Sequence, residues 1–210
     1  MEKYLENLNW RYATKRYDES KKLSEENLEN LKEALRLSAS SYGLQPYKIL
    51  VIEDEEIRKK LRKEAWDQPQ ITEASQLLIF AAYTEFNQEH LDKFISNTAK
   101  TRRMEEKELE GYKNMIENTT LQLPKEQQQI WAAKQAYIAL GNLLSAAATF
   151  RIDASPMEGF SAEGFDKILN LKEKGLTTAV IAAVGYRSME DDYQHLAKVR
   201  KSKEELFTTI

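Results

Sequence analysis

The segment from Pro124 to about Phe150 constrains this chain more than any other. Proline suits the first turn of a helix, where its missing N–H would have no partner anyway. Alanine and leucine dominate the stretch from Ala132 to Ala148. A helix that is apolar around most of its circumference must be buried on most sides, so the remaining elements have to be arranged around it. Gly141 in its middle weakens the helix and predicts that another backbone approaches closely there.

The flanking pattern supplies those elements. A short helix covers Glu2 to Asn9 and delivers Arg11 and Lys15 just beyond it. Ser24 is an N-cap, with Leu23 able to staple onto Leu28, and Leu28, Leu31 and Leu35 share one helical face. Lys48 to Glu53 reads as a strand buried on both faces, because Ile49 to Ile52 is continuously apolar. Asp54 caps a helix carrying Ile57, Leu61 and Ala65, and Leu77 to Tyr83 is a second buried strand. Glu89 to about Asn118 is charged and helical in pattern. A short helix near Ala162–Leu169, a strand from about Thr177 to Tyr186 and a β-like tail, Leu206 to Ile210, complete the chain. Few strands interleaved with more helices mean α+β or α/β, and 210 residues without a Pro/Gly/Ser-rich linker suit one domain, residues 1–210.

Composition removes several function classes. With 31 basic and 34 acidic residues, the chain has no electrostatic footprint for nucleic acid. The absence of cysteine excludes disulfides, thiolate catalysis and cysteine-ligated metal clusters. His90 and His195, the two histidines, lack metal-ligand spacing and read as surface residues. The apolar stretches Leu77–Tyr83 and Ala179–Gly185 fall short of the roughly 20 residues a membrane span needs, and the charged N-terminus does not resemble a signal peptide. A cytoplasmic protein with no membrane contact is expected. Glu55 to Lys63 reads as a solvated helix face with i,i+4 ion pairs, and Trp10, Trp66 and Trp131 read as packing residues. No Gly-x-Gly-x-x-Gly run marks a Rossmann site.

Two basic pairs remain. Arg11 and Lys15 are four apart, and Lys198 and Arg200 two apart. Either pair could converge on an anion, yet spacing alone reads each as ordinary surface. Six segments change this reading: RYATKRYD (11–18), SASSYGLQPY (38–47), QAYIALGNLL (135–144), SPMEGF (155–160), LKEKG (171–175) and KVR (198–200). In this order and spacing they resemble the nitroreductase family, in its oxygen-insensitive NAD(P)H nitroreductase and flavin reductase branch.

The resemblance implies an α+β fold with a small central mixed, largely antiparallel sheet and a long buried central helix. It also implies an obligate homodimer with FMN at the subunit interface, the C-terminal segment extending onto the partner. Arg11, Lys198 and Arg200 match its phosphate ligands, and Lys15 a lysine near the flavin pyrimidine edge. Tyr12, Ala13, Gln135 and Pro156 lie in the same cofactor-binding segments. Ser40 and Ser41 match a loop reaching the neighbour's FMN. Glu158 and Gly159 match the stretch against the isoalloxazine, where a backbone N–H approaches flavin N5. An amide side chain is implied at the pyrimidine; Gln68 ranks before Gln70, and Asp67 would bring a second negative charge. Ala13 stands where many relatives carry serine, and Gly43 where some carry asparagine.

No nucleophile or general base is implied, since FMN carries the redox chemistry. The implied reaction is ping-pong: NAD(P)H gives a hydride to N5, then a nitroaromatic, quinone or other electron-poor acceptor takes it. A specialised ene-type or dehalogenating reductase, or a flavin-binding protein without turnover, are the alternatives on this fold.

Overall fold

A computed structural model describes residues 2–210. In chain order its regular elements are α1 (Glu2–Trp10), α2 (Glu25–Arg36), β1 (Tyr47–Ile52), α3 (Glu55–Lys63), α4 (Gln70–Glu73), β2 (Gln76–Tyr83), α5 (Gln88–Arg102), α6 (Glu110–Ile116), α7 (Lys125–Thr149), β3 (Asp153–Met157), α8 (Ala162–Ile168), β4 (Leu176–Gly185) and α9 (Lys203–Leu206). The four strands form one antiparallel sheet in the order β1-β2-β4-β3. Among the described residues, the only parallel pairing is an isolated bridge between Ala13 and Ala154 at the β3 edge.

Both faces of this sheet are covered, and side-chain alternation along the strands divides them. Leu77, Ile79, Ala81, Ile181 and Ala183 meet Leu61, Ile71 and Phe165 from α3, α4 and α8. Leu78, Phe80, Val180, Ala182 and Val184 meet Ala136, Ala139, Leu140 and Leu143 of α7 and Leu31 and Leu35 of α2. Central strands sandwiched in this way bury both faces, which explains the apolar runs Leu77–Ala82 and Ala179–Val184 despite antiparallel pairing. A third apolar cluster, around Leu91, Ile95, Leu109 and Ile116, holds α5 and α6 as an excursion outside the sheet.

Helix boundaries follow local chemistry. Ser24 and Asp54 accept from the backbone N–H three residues on, at 3.2 and 2.8 Å, and cap α2 and α3. Pro124 stands immediately before α7, a 25-residue helix some 37 Å long at about 1.5 Å per residue. No helix among the described residues is long and apolar enough to cross a membrane.

Five expectations are corrected. The first strand is half-buried rather than buried on both faces, because β1 is an edge strand. α7 is not covered all round: Ile130, Tyr137, Ile138 and Gly141 form an exposed stripe at helical spacing. A Cβ on Gly141 would find open space beyond its own helix, so among the described residues no other backbone approaches it. The α3 face is not wholly solvated, since Arg58 is 3% exposed and donates to the carbonyls of Ile71, Ala74 and Ser75, tying α3 to α4; the surface ion pair is Lys59 with Glu56. Finally, Leu206 closes α9, and only Phe207 to Ile210 run on without helical structure, in no strand pairing among the described residues.

Candidate functional site

The end of α1 and the edge of β3 build the site together. Arg11 N still donates to Asn7 O at 3.1 Å, so Arg11 is fixed at the last turn of α1. Beyond it the chain extends along the sheet, bridging Ala13 to Ala154 and Tyr17 to Arg187. Thr14 turns into the core, where its hydroxyl donates to Asp153 at 3.3 Å, while Arg11, Ala13 and Lys15 face outward. No sequence pattern marks β3 as a strand. Pro156 and its small neighbours hide it, and an edge position is where a sheet tolerates proline.

The C-terminal segment closes over this edge. Arg11, Tyr12, Ala13, Lys15, Pro156, Tyr193, Leu196, Lys198 and Arg200 are among the residues lining one cavity of about 500 Å³. Among the described residues, four cations line it and no carboxylate does. Lys198 Nζ donates to the carbonyl of Arg11, pinning the two chain segments together. Burial, then the nearby Arg200 charge, hold the Arg11 guanidinium below its ordinary range. Burial, then Arg11 and Arg200, do the same to Lys198. Arg11 Nε is buried with no hydrogen-bond partner among the described residues. An orphaned guanidinium donor amid like charges is what a bound dianion would satisfy, so the donor set fits the phosphate of FMN.

The other candidates fall into two further groups. β3 runs from the cavity wall at Pro156 into Glu158 and Gly159. Gln68 Nε2 donates to Gly159 O at 2.7 Å and to Ala65 O at 3.0 Å. Gln70, at the start of α4, is 5% exposed, with its Oε1 unpartnered among the described residues. Trp66 lies over Gly159, where a Cβ would fall 2.4 Å from the indole, so a larger residue there would have to push this exposed ring aside. Glu158 accepts from the Tyr137 hydroxyl of α7, and burial followed by this bond pushes the Tyr137 phenol up to about 12. The second group lies apart: Ser41 N donates to Gln135 Oε1 at 2.8 Å, and Ser40 Oγ accepts from Gln45 N at 2.9 Å. Within the chain these serines do not line the cationic cavity.

Several residues at the site carry no recognisable signal in the sequence. Asp153 accepts from Arg187 Nε at 2.8 Å and from Arg187 N at 2.9 Å, and the Arg187 guanidinium lies against the rings of Trp10 (4.3 Å) and Tyr12 (4.6 Å). Asp191 accepts from Tyr12, Lys15 and Arg16. Two residue readings are also corrected. Trp66 is 73% exposed rather than packed, because it and Asp67 both adopt left-handed φ, 51° and 53°, and turn the loop outward. His90 is half-buried, stacked on Tyr83 at 4.5 Å with its Nδ1 accepting from Asn87 N. The described residues contain no cluster of metal-type ligands.

The α+β fold thus carries, at one edge of its sheet, a cationic cavity whose donors suit a phosphate-bearing ligand. The sequence profile of the nitroreductase family matches residues 8–186, and the chain belongs to that family. Curated relatives include the major NAD(P)H-flavin oxidoreductase of Aliivibrio fischeri, 34% identical over 95% of both chains. The oxygen-insensitive NAD(P)H nitroreductase of Salmonella typhimurium is 32% identical over 95% of this chain and 96% of its own. Among solved structures, a nitroreductase-like protein of Streptococcus mutans superposes with a TM-score of 0.87 at 20% identity, covering 100% of this chain and 99% of its own. A chain of Exiguobacterium sibiricum, solved in complex with FMN, gives 0.83 at 18% identity, covering 99% and 97%. The family match ends at residue 186, before Lys198 and Arg200, which the fold brings to the wall of the cavity.

Proposed function

We propose that this chain is an FMN-dependent NAD(P)H oxidoreductase acting as a homodimer on nitroaromatics, quinones and related electron-poor acceptors. One observation carries the reading: a cavity lined by Arg11, Lys15, Lys198 and Arg200, free of carboxylates, in which Arg11 Nε is buried and unpartnered among the described residues. The flavin and nitroreductase chemistry named for the Aliivibrio fischeri and Salmonella typhimurium relatives supports it.

Arg11, Lys198 and Arg200 hold the phosphate, two guanidinium forks and one ammonium giving charge-assisted bonds. Lys15, on the same wall, is assigned to the ring, where a cation favours the reduced form. Tyr12, Ala13 and Pro156 complete the wall beside them. Gly159 keeps the backbone approachable, and Gln68, anchored to Gly159 O, is the first choice for a polar contact to the ring, with Gln70 second. When bound, FMN supplies the hydride-accepting and hydride-donating centre linking NAD(P)H to the acceptor. No side chain is required as nucleophile; these residues bind, orient and exclude water.

Three features support the dimer. β1 has no strand on its outer edge among the described residues. A groove of about 330 Å³ lined by Leu28, Leu31, Tyr47, Ile49 and Val51 runs beside it. The stripe on α7 and the exposed Tyr4 and Leu5 of α1 are also uncovered. Phe207 to Ile210 is assigned to the partner's β1 edge, and Ser40 and Ser41, held by Gln45 and Gln135, to the partner's FMN.

The test is purification without added flavin, quantification of bound FMN, and reconstitution of stripped protein. On the order of one FMN per subunit, bleached by NADH or NADPH and reoxidised by nitrofurazone or menadione, is expected. Protein that neither carries nor takes up FMN overturns the reading. Bound flavin that nucleotide fails to reduce leaves a binding protein in its place.

A further inference from the structure

Asp191 is 1% exposed and lies between the two chain segments that make the cationic cavity. Its Oδ2 accepts from Lys15 N at 2.7 Å, from the Tyr12 hydroxyl at 2.9 Å and from Arg16 N at 3.2 Å. Its Oδ1 accepts from Tyr193 N at 3.1 Å, at the start of the turn leading to Lys198 and Arg200. One carboxylate thus grips the first wall of the cavity with one oxygen and the second wall with the other. Among the described residues it forms no ion pair: the neighbouring Arg187 is bound to Asp153, and Arg16 to Glu73.

We infer that Asp191 is a positioning residue of the anion site, a buried carboxylate that does not line the cavity but fixes the two segments that grip the phosphate. Burial works to raise its carboxyl, yet the Lys15 and Arg16 amides and the Tyr12 hydroxyl outweigh that and hold it below the usual carboxylate range. It is therefore ionised at neutral pH, and a negative charge stands behind a site that binds negative charge. Two effects oppose each other. By Coulomb attraction alone, removing that charge tightens an anion. By geometry, removing it releases the Lys15 backbone and the turn before Lys198, and spreads cations that already repel one another. Short charge-assisted bonds to a buried acceptor are the stronger effect here.

Asp191→Asn separates them, because it keeps the shape, removes the charge and places an NH₂ among N–H donors. The inference rests on the proposed cofactor only for the identity of the anion. FMN affinity is expected to fall by about tenfold or more, and riboflavin affinity by clearly less, since riboflavin lacks the phosphate and keeps only the Lys15 contact to the ring. A purely structural role would weaken both flavins alike, and that outcome overturns the inference, as does FMN binding that is equal or tighter. Amide hydrogen exchange supplies a readout free of flavin: the Lys15 and Arg16 amides of the variant should exchange on the order of tenfold faster, while β2 and β4 stay protected. Unchanged exchange at both amides also overturns it. If the wild type takes up no FMN, the proposed function fails alone, and the inference is read from exchange and from protection by inorganic phosphate. Should Asp191→Asn not fold, Tyr12→Phe removes one of the four bonds; faster exchange at Lys15 supports the assignment and unchanged exchange defeats it.

Discussion

The two edges of the sheet are finished in opposite ways. At β3 the chain closes its own edge: Ala13 bridges Ala154, Arg187 is clamped to Asp153, and the segment around Lys198 folds over the top. At β1 no described strand closes it, and an apolar groove lies alongside. A long unpaired edge is an aggregation hazard unless something covers it. The closed edge gathers charge into a site, and the open edge offers a surface for another copy of the chain. Proposed site and proposed assembly thus divide the two edges of one sheet between them.

That division can be broken in graded steps. Asp153→Ala should do the most damage, since it strands the Arg187 guanidinium and leaves Arg187 N and Thr14 without their acceptor. Breaking a buried pair in this way costs about 3–5 kcal/mol, and urea unfolding would read it. A loss under about 1 kcal/mol, the scale of a surface pair, would mean the β3 edge does not depend on this clamp. Next comes Arg11→Ala, which removes a half-buried cation from the cavity wall. FMN affinity should weaken by about 1.5–3 kcal/mol, or one to two decades, in flavin-quenching titrations with the fold intact. Unchanged affinity would place the phosphate elsewhere.

The open edge is probed by smaller changes. Truncation before Phe207 should raise the dimer dissociation constant by about tenfold, near 1.4 kcal/mol, in sedimentation experiments. A dimer indifferent to the truncation would separate the tail from the β1 edge. Gly141→Ala carries the smallest effect and the sharpest sign. Within the subunit a methyl meets open space, so the helix should gain up to about 1 kcal/mol. If the α7 stripe packs against a partner, the same methyl weakens association. Stabilised subunits in a loosened dimer are expected, and a dimer unaffected by the methyl would free that stripe from the interface.

The sequence reveals these regions unevenly. Elements with a repeating cause are plain: Leu31 and Leu35 on the α2 face, the runs of β2 and β4, and the Pro124 start of α7. Features whose cause lies elsewhere in the chain are hidden. Gly141 and the apolar stripe of α7 read as buried because periodicity records what a helix must hide, without saying whether its own chain or another does the hiding. Asp191 is one acid among several in a charged tail, and its importance comes from partners some 176 residues away. Arg58, within a charged helix, differs from its neighbours only by the carbonyls it meets after folding. Of the candidate site, Arg11, Lys15, Lys198 and Arg200 are visible as pairs, and the fold gathers both into one cavity.

The contact between Lys198 and Arg11 spans 187 positions, and this has a consequence for the order of assembly. Closing so long a loop carries an entropy cost that local contacts do not share, so the cavity should be among the last parts to form. A chain emerging from the ribosome can complete α7 before residues near 200 have been made. The cofactor would then bind only to chains synthesised through that point, and its binding would favour them over shorter ones by mass action. Occupancy by flavin would report that synthesis has run through both walls of the site.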